Sequence, residues 1–319
     1  MALSEFEIIR RFFRRETPLR QDVVLGIGDD GAVVRVAEAC DLVISTDTLA
    51  SGVHFPADAE PSDIGFRALA VNLSDLAAMG AEPAWAILAL SLPEAREAWL
   101  SGFARGFFSL ADEASVQLIG GDITRGPLAI TVSVYGSVPR GEALLRSGAR
   151  PGDLIFVTGT LGDAAAALEL DLKTAPAAHA RALRQRLLRP IPRLIVGVGL
   201  RGVASSVIDV SDGLASDLGH IVEASGVGAW IEVASLPLSE PLCDLIGRQQ
   251  AWELALSGGD DYELCFSAPA MRRALVTSLA HSSDCPITQI GVIQSEHGLR
   301  YVMPDGSLLT IARPGYRHF

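Results

Sequence analysis

Apolar residues group along this chain in two patterns, one typical of strands and the other of helices. Short runs rich in β-branched and apolar residues, bounded by Gly, Asp or Pro, predict strands. The predicted strands are Val23–Ile27, Leu42–Thr46, Ala84–Leu92, Ile130–Val138, Leu154–Thr158, Ser206–Val210, Trp230–Val233, Tyr262–Phe266 and Ile287–Ile293.

Helical spacing of apolar residues predicts a helix over Pro61–Met79, which ends at Gly80, and another over Glu94–Ala114. Further helices are expected through the 163–202 region, broken at two prolines, and a Pro-Asp-Gly turn at 304–306 predicts a C-terminal hairpin. Because strands and helices intermix irregularly, the pattern favours an α+β or mixed α/β fold over a regular βαβ winding.

The chain has 319 residues, which is long enough for two domains. The segment Arg140–Gly152 is rich in Gly, Arg and Pro and is the candidate boundary. We therefore expect an N-terminal domain over residues 1–139 and a C-terminal domain over residues 140–319.

The amino-acid composition of the chain limits the classes of molecule that it can bind. Hydrophobic residues make up 49% of the chain, enough for a sizeable core, and the net charge is −12. This acidic balance argues against nucleic-acid binding through a basic patch. Lys173 is the single lysine, so any bound phosphate must be held by arginine, backbone amides or metal ions.

The sequence also predicts a cytoplasmic protein without a membrane span. The longest apolar run, Ala84–Leu92, has the length of a strand, and the N-terminus lacks the order of a signal peptide. The four cysteines are scattered, which is typical of reduced thiols rather than of a disulfide framework or a zinc site.

Aspartates recur in short motifs, most of them rich in Gly, Ser or Thr, and mainly after apolar strands. One such pair is usually only a turn, but six of them suggest converging carboxylates, which repel one another unless a cation lies among them. Aspartate oxygens suit Mg²⁺, so a metal-dependent site is the interpretation we favour. The motifs are Gly28-Asp29-Asp30-Gly31, Ser45-Thr46-Asp47-Thr48, Asn72-Leu73-Ser74-Asp75, Gly120-Gly121-Asp122, Asp209-Val210-Ser211-Asp212-Gly213 and Gly258-Gly259-Asp260-Asp261.

Three further residues allow both a structural and a functional interpretation. Asp75 is either an exposed helix acid or a ligand, and His54 is a lone histidine in a loop. Arg146 is either a surface charge or, at a domain boundary, a phosphate ligand. The chain has no P-loop, no protein-kinase motifs, no complete dinucleotide fingerprint and no nucleophile elbow.

From about Gly26 to Phe319, the chain resembles the thiamine-monophosphate kinase family, within the aminoimidazole ribonucleotide synthetase-like superfamily of ATP-using enzymes. Each motif is weak alone, but all of them in order over almost the whole chain are specific. Beside the six motifs above, the resemblance rests on Gly52-Val53-His54-Phe55, Arg146-Ser147-Gly148-Ala149, Tyr262-Glu263-Leu264 and Gly315-Tyr316-Arg317-His318-Phe319.

The resemblance implies a Mg²⁺- and ATP-dependent kinase that phosphorylates thiamine monophosphate. It implies a homodimer of two-domain chains, with an N-terminal α/β domain that dimerises and a C-terminal α+β domain that completes the nucleotide and substrate site. Several Mg²⁺ ions would be held by Asp30, Ser45, Thr46, Asp47, Asp75, Asp122, Asp209 and Asp212. ATP would contact Gly121, Asp122, Arg146 and Ser211, and thiamine phosphate would contact His54, Glu263 and Phe319.

Two positions depart from the family pattern. Asp260 stands where a glutamate is expected, and Arg105 stands where an aromatic residue often lies near the nucleotide. The second departure argues against adenine stacking at that position.

The resemblance implies no catalytic base, and the charges of the expected reactants explain why the reaction does not need one. A phosphate monoester has a second pKa near 6, so at neutral pH the acceptor is already a nucleophilic dianion. Two unit charges 4 Å apart cost about 4 kcal/mol at an effective dielectric of 20, and two dianions about four times as much. With one lysine in the chain, bridging Mg²⁺ is the expected source of cancellation.

The alternatives are another ATP-using enzyme of the superfamily, such as one like aminoimidazole ribonucleotide synthetase, or a non-catalytic Mg²⁺-dependent binder of nucleotide or thiamine phosphate. The chain lacks the N-terminal Cys or Sec with a lysine of the selenophosphate synthetase-like members. It also lacks the terminal cysteine of the hydrogenase-maturation relatives.

Overall fold

The first part of the molecule is built on long strands in which burial tends to alternate from residue to residue. The computed structural model describes residues 4–15, 20–311 and 315–316. The described residues form two units. One contains the residues up to Leu76 together with Ala81–Gly141, and the other contains Ala77–Gly80 together with the residues from Glu142 onward.

The first unit is built on a four-stranded sheet with strand order β3-β6-β4-β5, in which only β4 and β5 are parallel. Burial alternates at every residue of β6, so one face of the strand contributes to the core. Two short strands form a separate antiparallel pair. The strands of this unit are β1 (Val23–Leu25), β2 (Val33–Val34), β3 (Cys40–Ala50), β4 (Glu82–Leu92), β5 (Gln117–Arg125) and β6 (Ala129–Pro139).

Two long helices of this unit, α2 (Pro61–Ala78) and α3 (Glu97–Glu113), approach each other closely at glycines. A Cβ atom at Gly106 would overlap the carbonyl oxygen of Ser62, and one at Gly65 would overlap that of Phe103. The close approach therefore requires glycine at both positions. A short helix, α1 (Glu5–Ile8), precedes them and continues as a π-helical turn.

The second unit contains a seven-stranded sheet with strand order β13-β12-β9-β11-β7-β10-β8, in which β12 and β9 are parallel. Its strands are β7 (Leu154–Thr158), β8 (Ser206–Val210), β9 (Gly228–Glu232), β10 (Glu263–Ala268), β11 (Ile287–Gln294), β12 (Gly298–Val302) and β13 (Leu308–Leu309). Its helices are α4 (Asp163–Glu169), α5 (Ala177–Leu188), α6 (Leu194–Gly199), α7 (Leu214–Ser225), α8 (Glu240–Ser257) and α9 (Arg273–Ser282).

Both faces of this second sheet are covered, which explains why β7 is apolar at nearly every position. In β7, Ile155 and Val157 join a core with residues of α7 and α8. Phe156, between them in sequence, joins the opposite core with residues of α6 and α9, where its ring stacks on Phe266. Successive side chains point to opposite faces, so a strand buried on both sides has no polar alternation.

Most of the predicted elements are confirmed, and β7 and β8 have the predicted bounds. The expectation that the Asp motifs follow strands is wrong for the motifs at 45–48 and 120–122, because β3 and β5 run through them. Gly121 lies so close to the backbone of Leu88 that a Cβ would overlap its carbonyl oxygen. Glycine is required there for strand pairing rather than for a turn.

No helix in the described part of the chain is long and apolar enough to cross a membrane.

Candidate functional site

Hydrogen bonds between strand β3 and helix α2 fix three of the residues singled out in the first unit. Ser45 Oγ donates a hydrogen bond of 2.6 Å to Asp75 Oδ2. The backbone N–H of Asp47 donates to Asn72 Oδ1 at 2.9 Å, and Asn72 Nδ2 donates to the carbonyl oxygen of Ala68. Because Asn72 and Asp75 are three residues apart on one helix, they share a face and clamp β3 at two points.

A cleft of about 860 Å³ lies in the same unit, beside the carboxylates of Asp29, Asp30 and Asp122. Its walls are the N-terminal helical segment, the loop at 27–32 and parts of β4 and β5. The three carboxylates are exposed, and Gly121 also lines the cleft. The cleft therefore brings two of the predicted metal ligands next to a predicted nucleotide-binding glycine.

Thr46 and His54 are fixed by local hydrogen bonds. Thr46 Oγ1 donates to Ser133 Oγ on the neighbouring β6 at 2.8 Å. The Nδ1 atom of half-buried His54 accepts the N–H of Ala50 at 3.0 Å, so this nitrogen carries no proton and a neutral ring is protonated on Nε2. The fully buried Arg67 donates from Nε to the carbonyl oxygen of His54.

In the second unit, the loop between β8 and α7 carries the next group of predicted residues. Asp209 is buried at the end of β8, and Ser211 and Asp212 are half-buried. Asp217, which the sequence analysis did not single out, is buried beneath this loop and accepts the backbone N–H groups of residues 211, 212 and 213. Burial and then the charge of Asp212 raise the pKa of Asp217 to about 7, against the lowering effect of these N–H groups.

Glu263 lies at the start of β10 and is fully buried. Arg193 donates to both of its carboxylate oxygens at 2.6 Å, Arg186 donates at 2.7 Å, and Thr158 Oγ1 donates at 2.5 Å. The carboxylate is thus enclosed by two cations and a hydroxyl group of its own unit. The charge is well compensated, as a buried carboxylate requires.

Another buried acid, Asp261, lies in the same region. It accepts the N–H of Gly162 on both carboxylate oxygens, at 3.0 and 2.9 Å. Burial is the main cause that raises the pKa of Asp261 well above its usual range, although the N–H of Gly162 and the charge of Arg186 lower it.

Arg146 is exposed in the segment that leads into β7. The flanking backbone is fixed, because Leu145 accepts the N–H of Val207 at 2.8 Å and Gly148 donates to Ser225 Oγ at 3.2 Å. The chain thus holds the backbone of Arg146 beside β8 and leaves its guanidinium at the surface. Phe319 lies outside the described residues.

The structure locates both residues that depart from the family pattern. Arg105 is exposed on α3. Asp260 has a φ of +70°, in the left-handed region, and its N–H donates to the carbonyl oxygen of Ser211 at 2.8 Å. Aspartate tolerates this backbone conformation better than most residues, which accounts for a short acid at this position.

Among the residues that the structure describes, no three Asp, Glu, His or Cys side chains form a ready-made metal-binding group. Mg²⁺ in phosphoryl-transfer sites usually takes only one or two carboxylates, and nucleotide phosphates and water complete its shell. The carboxylate of Asp75 with the hydroxyl of Ser45 is a hard-oxygen donor set of that kind. The donor chemistry therefore fits Mg²⁺ bound together with a nucleotide.

Comparison with known proteins identifies the family. Residues 28–138 match the N-terminal domain, and residues 150–303 the C-terminal domain, of the AIR synthase related proteins. The thiamine-monophosphate kinase of Escherichia coli strain K12 is 52% identical over 324 residues, covering 100% of this chain and 99% of the relative. The chain belongs to the thiamine-monophosphate kinase family.

Solved structures agree with this membership. The thiamine-monophosphate kinase from Stenotrophomonas maltophilia K279a has a TM-score of 0.85 at 52% identity, covering 91% of this chain and 93% of that one. AaThiL complexed with AMPPCP and TMP has a TM-score of 0.78 at 35% identity, covering 92% of each chain. The two-domain mixed α/β fold expected from the sequence is therefore the fold of this kinase family.

Three features of this family member were not foreseen from its sequence. They are the clamp of Asn72 on β3, the carboxylate of Asp217 beneath the 211–213 loop, and the arginine pair around Glu263. For Asp217 a signal exists in the sequence, since an acid four residues after Gly213 falls in the first turn of a helix. No comparable signal connects Arg186 or Arg193 with a glutamate that is 70 or more residues away.

Proposed function

We propose that this chain transfers the γ-phosphoryl group of ATP to the phosphate of thiamine monophosphate, which gives thiamine diphosphate and ADP. The observation that carries the proposal is the 52% identity over the full length of a thiamine-monophosphate kinase. AaThiL complexed with AMPPCP and TMP, at 35% identity, supports the same pair of reactants.

Metal binding is assigned to oxygen donors on β3, β5, β8 and α2 and in two loops. Mg²⁺, when bound, would neutralise charge on the donor and acceptor phosphates and align them for in-line transfer. Asn72 and Ser45 keep the donors on β3 and α2 in fixed register. The proposed ligands are Asp30, Ser45, Thr46, Asp47, Asp75, Asp122, Asp209 and Asp212.

The nucleotide is assigned to Gly121, Asp122, Arg146 and Ser211. Gly121 and Asp122 line the cleft of the first unit. An exposed guanidinium such as that of Arg146 can bind phosphate in a bidentate manner. In a chain with one lysine, arginine is the remaining side chain for that task.

The thiamine phosphate is assigned to His54, Glu263 and Phe319. His54 is fixed by Ala50 and Arg67, so its Nε2–H can point in a constant direction. Because the carboxylate of Glu263 is enclosed, we propose that it supports the substrate through Arg186 and Arg193. No general base is assigned, because the acceptor phosphate is already a dianion near neutral pH.

We assign nucleotide and metal binding and dimerisation to residues 1–139, and completion of the nucleotide and substrate site to residues 140–319. Among the residues that the structure describes, strand β3 is an edge strand of the first sheet and is eleven residues long. It exposes Leu42 and Ile44, the latter at 57%. Long apolar edges are normally covered, so a second copy of the chain is the proposed partner. We also propose that the enzyme acts in the cytoplasm.

The assay mixes the full chain with ATP, Mg²⁺ and thiamine monophosphate, and separates the products by chromatography. We expect equal amounts of ADP and thiamine diphosphate, and no thiamine diphosphate when EDTA is added. ADP and phosphate formed with formylglycinamidine ribonucleotide would indicate the synthetase reaction instead. Binding of both ligands without turnover would indicate a non-catalytic binder.

A further inference from the structure

The loop between β8 and α7 is fixed from both sides of its backbone. The N–H groups of residues 211, 212 and 213 all donate to a single oxygen, Oδ2 of Asp217, at 3.0, 3.0 and 3.1 Å. On the other side, the carbonyl oxygens of residues 210, 211 and 212 accept N–H groups from Tyr262, Asp260 and Tyr316, at 2.8, 2.8 and 3.0 Å. Three consecutive peptide units therefore have little freedom to move.

The carboxylate that completes this arrangement comes from within the helix. Gly213 is the N-cap of α7 and supplies no capping side chain, whereas Asp217 reaches back from the first turn to the residues before the helix. Asp217 is 3% exposed. A Cβ at Gly213 would lie 2.9 Å from the backbone of Ser257, so a side-chain cap at that residue is sterically excluded.

This geometry determines which groups of the loop are available to bind a nucleotide. N–H groups at a helix N-terminus are often an anion-binding site, as in phosphate-binding loops. Here an internal carboxylate already accepts all three, so these N–H groups do not bind a phosphate of the nucleotide. The loop contributes the side chains of Ser211 and Asp212 instead, and their placement depends on the backbone that Asp217 holds.

We infer that Asp217 is a positioning residue for ATP binding, because it sets the backbone from which Ser211 and Asp212 reach the Mg²⁺–nucleotide complex. The inference rests on the proposed function of those two residues. It assigns Asp217 no contact with the nucleotide, the metal or the acceptor.

The test compares Asp217→Ala and Asp217→Asn with wild type in the full chain. The alanine variant should raise both the KM for ATP and the Kd for AMPPCP with Mg²⁺ at least tenfold, while the KM for thiamine monophosphate changes less than threefold. The asparagine variant keeps a side-chain oxygen that can accept the same N–H groups, so its Kd should stay within about threefold of wild type.

The matched control is Asp153→Ala. Asp153 is likewise buried in the second unit and accepts a backbone N–H, that of Arg150 at 3.0 Å, but it lies outside the proposed site. We expect this variant to lose thermal stability without a change in the Kd for AMPPCP. A general loss of stability is thereby distinguished from a positioning effect.

A folded Asp217→Ala variant with wild-type affinity for AMPPCP would overturn the inference, and so would an asparagine variant that is as damaged as the alanine variant. If the alanine variant does not fold, hydrogen exchange of the asparagine variant is measured over residues 206–220. Faster exchange of these residues in the asparagine variant, together with an unchanged Kd for AMPPCP, would also overturn the inference. If wild type binds AMPPCP but forms no thiamine diphosphate, the proposed function fails while this comparison still decides the role of Asp217.

Discussion

Asp75 and Glu263 are both acids that the sequence singles out, yet their surroundings differ. Asp75 is half-buried and accepts a short hydrogen bond from Ser45. Glu263 is fully buried and held by Arg186, Arg193 and Thr158. The first environment suits ligand binding, and the second suits a fixed internal charge.

Replacing Asp75 by asparagine should remove most of the turnover and raise the Mg²⁺ concentration needed for half-maximal rate at least tenfold. The amide keeps the size of the side chain but removes the negative charge that a metal ligand supplies. Asp63→Asn, in the first turn of the same helix, is the control and should leave the Mg²⁺ dependence unchanged. Normal kinetics of Asp75→Asn at limiting Mg²⁺ would contradict the assignment.

Replacing Glu263 by alanine should lower the free energy of unfolding by about 3–5 kcal/mol, because Arg186 and Arg193 would lose their shared partner inside the protein. Urea denaturation measures the change. Glu253→Ala, at an exposed position of α8, should change the free energy by less than about 0.5 kcal/mol. A loss below about 1 kcal/mol for Glu263→Ala would show that the charge cluster is not structural.

At the scale of elements, the sequence predicted the bounds of strands best where burial on both faces leaves few polar residues. β7 and β8 therefore have the predicted bounds, whereas β5 was missed because Gly120, Gly121 and Asp122 are typical of a turn. The strand forms because β5 pairs with β4, whose partner residues lie 32 or 33 positions earlier in the chain. Two of the Asp motifs, at 45–48 and 120–122, lie within β3 and β5 rather than after a strand. The buried groups that orient the motifs were not predictable either, because those contacts join distant segments.

The close crossing of α2 and α3 gives a prediction at this scale. Gly106→Ala should lower the free energy of unfolding by about 1–3 kcal/mol, since the new methyl group would overlap the backbone of Ser62. Gly219→Ala on α7 is the matched control, because its nearest neighbour atom would be 3.9 Å away. There the better helix propensity of alanine should raise the stability by up to about 1 kcal/mol. Equal effects of both changes in thermal unfolding would contradict the packing argument.

At the scale of the whole molecule, the net charge of −12 affects both the binding of the substrates and the proposed association with a second chain. The substrates are polyanions, so part of the acidic charge must be offset by cations at the site. In the proposed dimer, the exposed apolar side chains of Leu42 and Ile44 on β3 would form part of the contact between the two chains. The resemblance predicted a dimer, but neither periodicity nor composition indicates which surface is covered.

The proposed dimer can be tested with Ile44→Asp. A charge at this 57% exposed position should convert the dimer to monomers, as measured by size-exclusion chromatography with light scattering. Ile195→Asp, at a position that is 68% exposed in the second unit, is the control and should remain dimeric. A wild-type chain that is monomeric at micromolar concentration, or an Ile44→Asp variant that stays dimeric, would contradict the proposed interface.

In the kinase reaction, the terminal phosphoryl group of ATP moves intact to the phosphate of thiamine monophosphate. The most direct test follows ATP labelled in its γ-phosphoryl group, with Mg²⁺ and either thiamine monophosphate or free thiamine as acceptor. We predict that the label appears in the terminal phosphate of thiamine diphosphate, one for each ADP, and that free thiamine accepts none. Label released as inorganic phosphate with no labelled thiamine diphosphate would contradict the account.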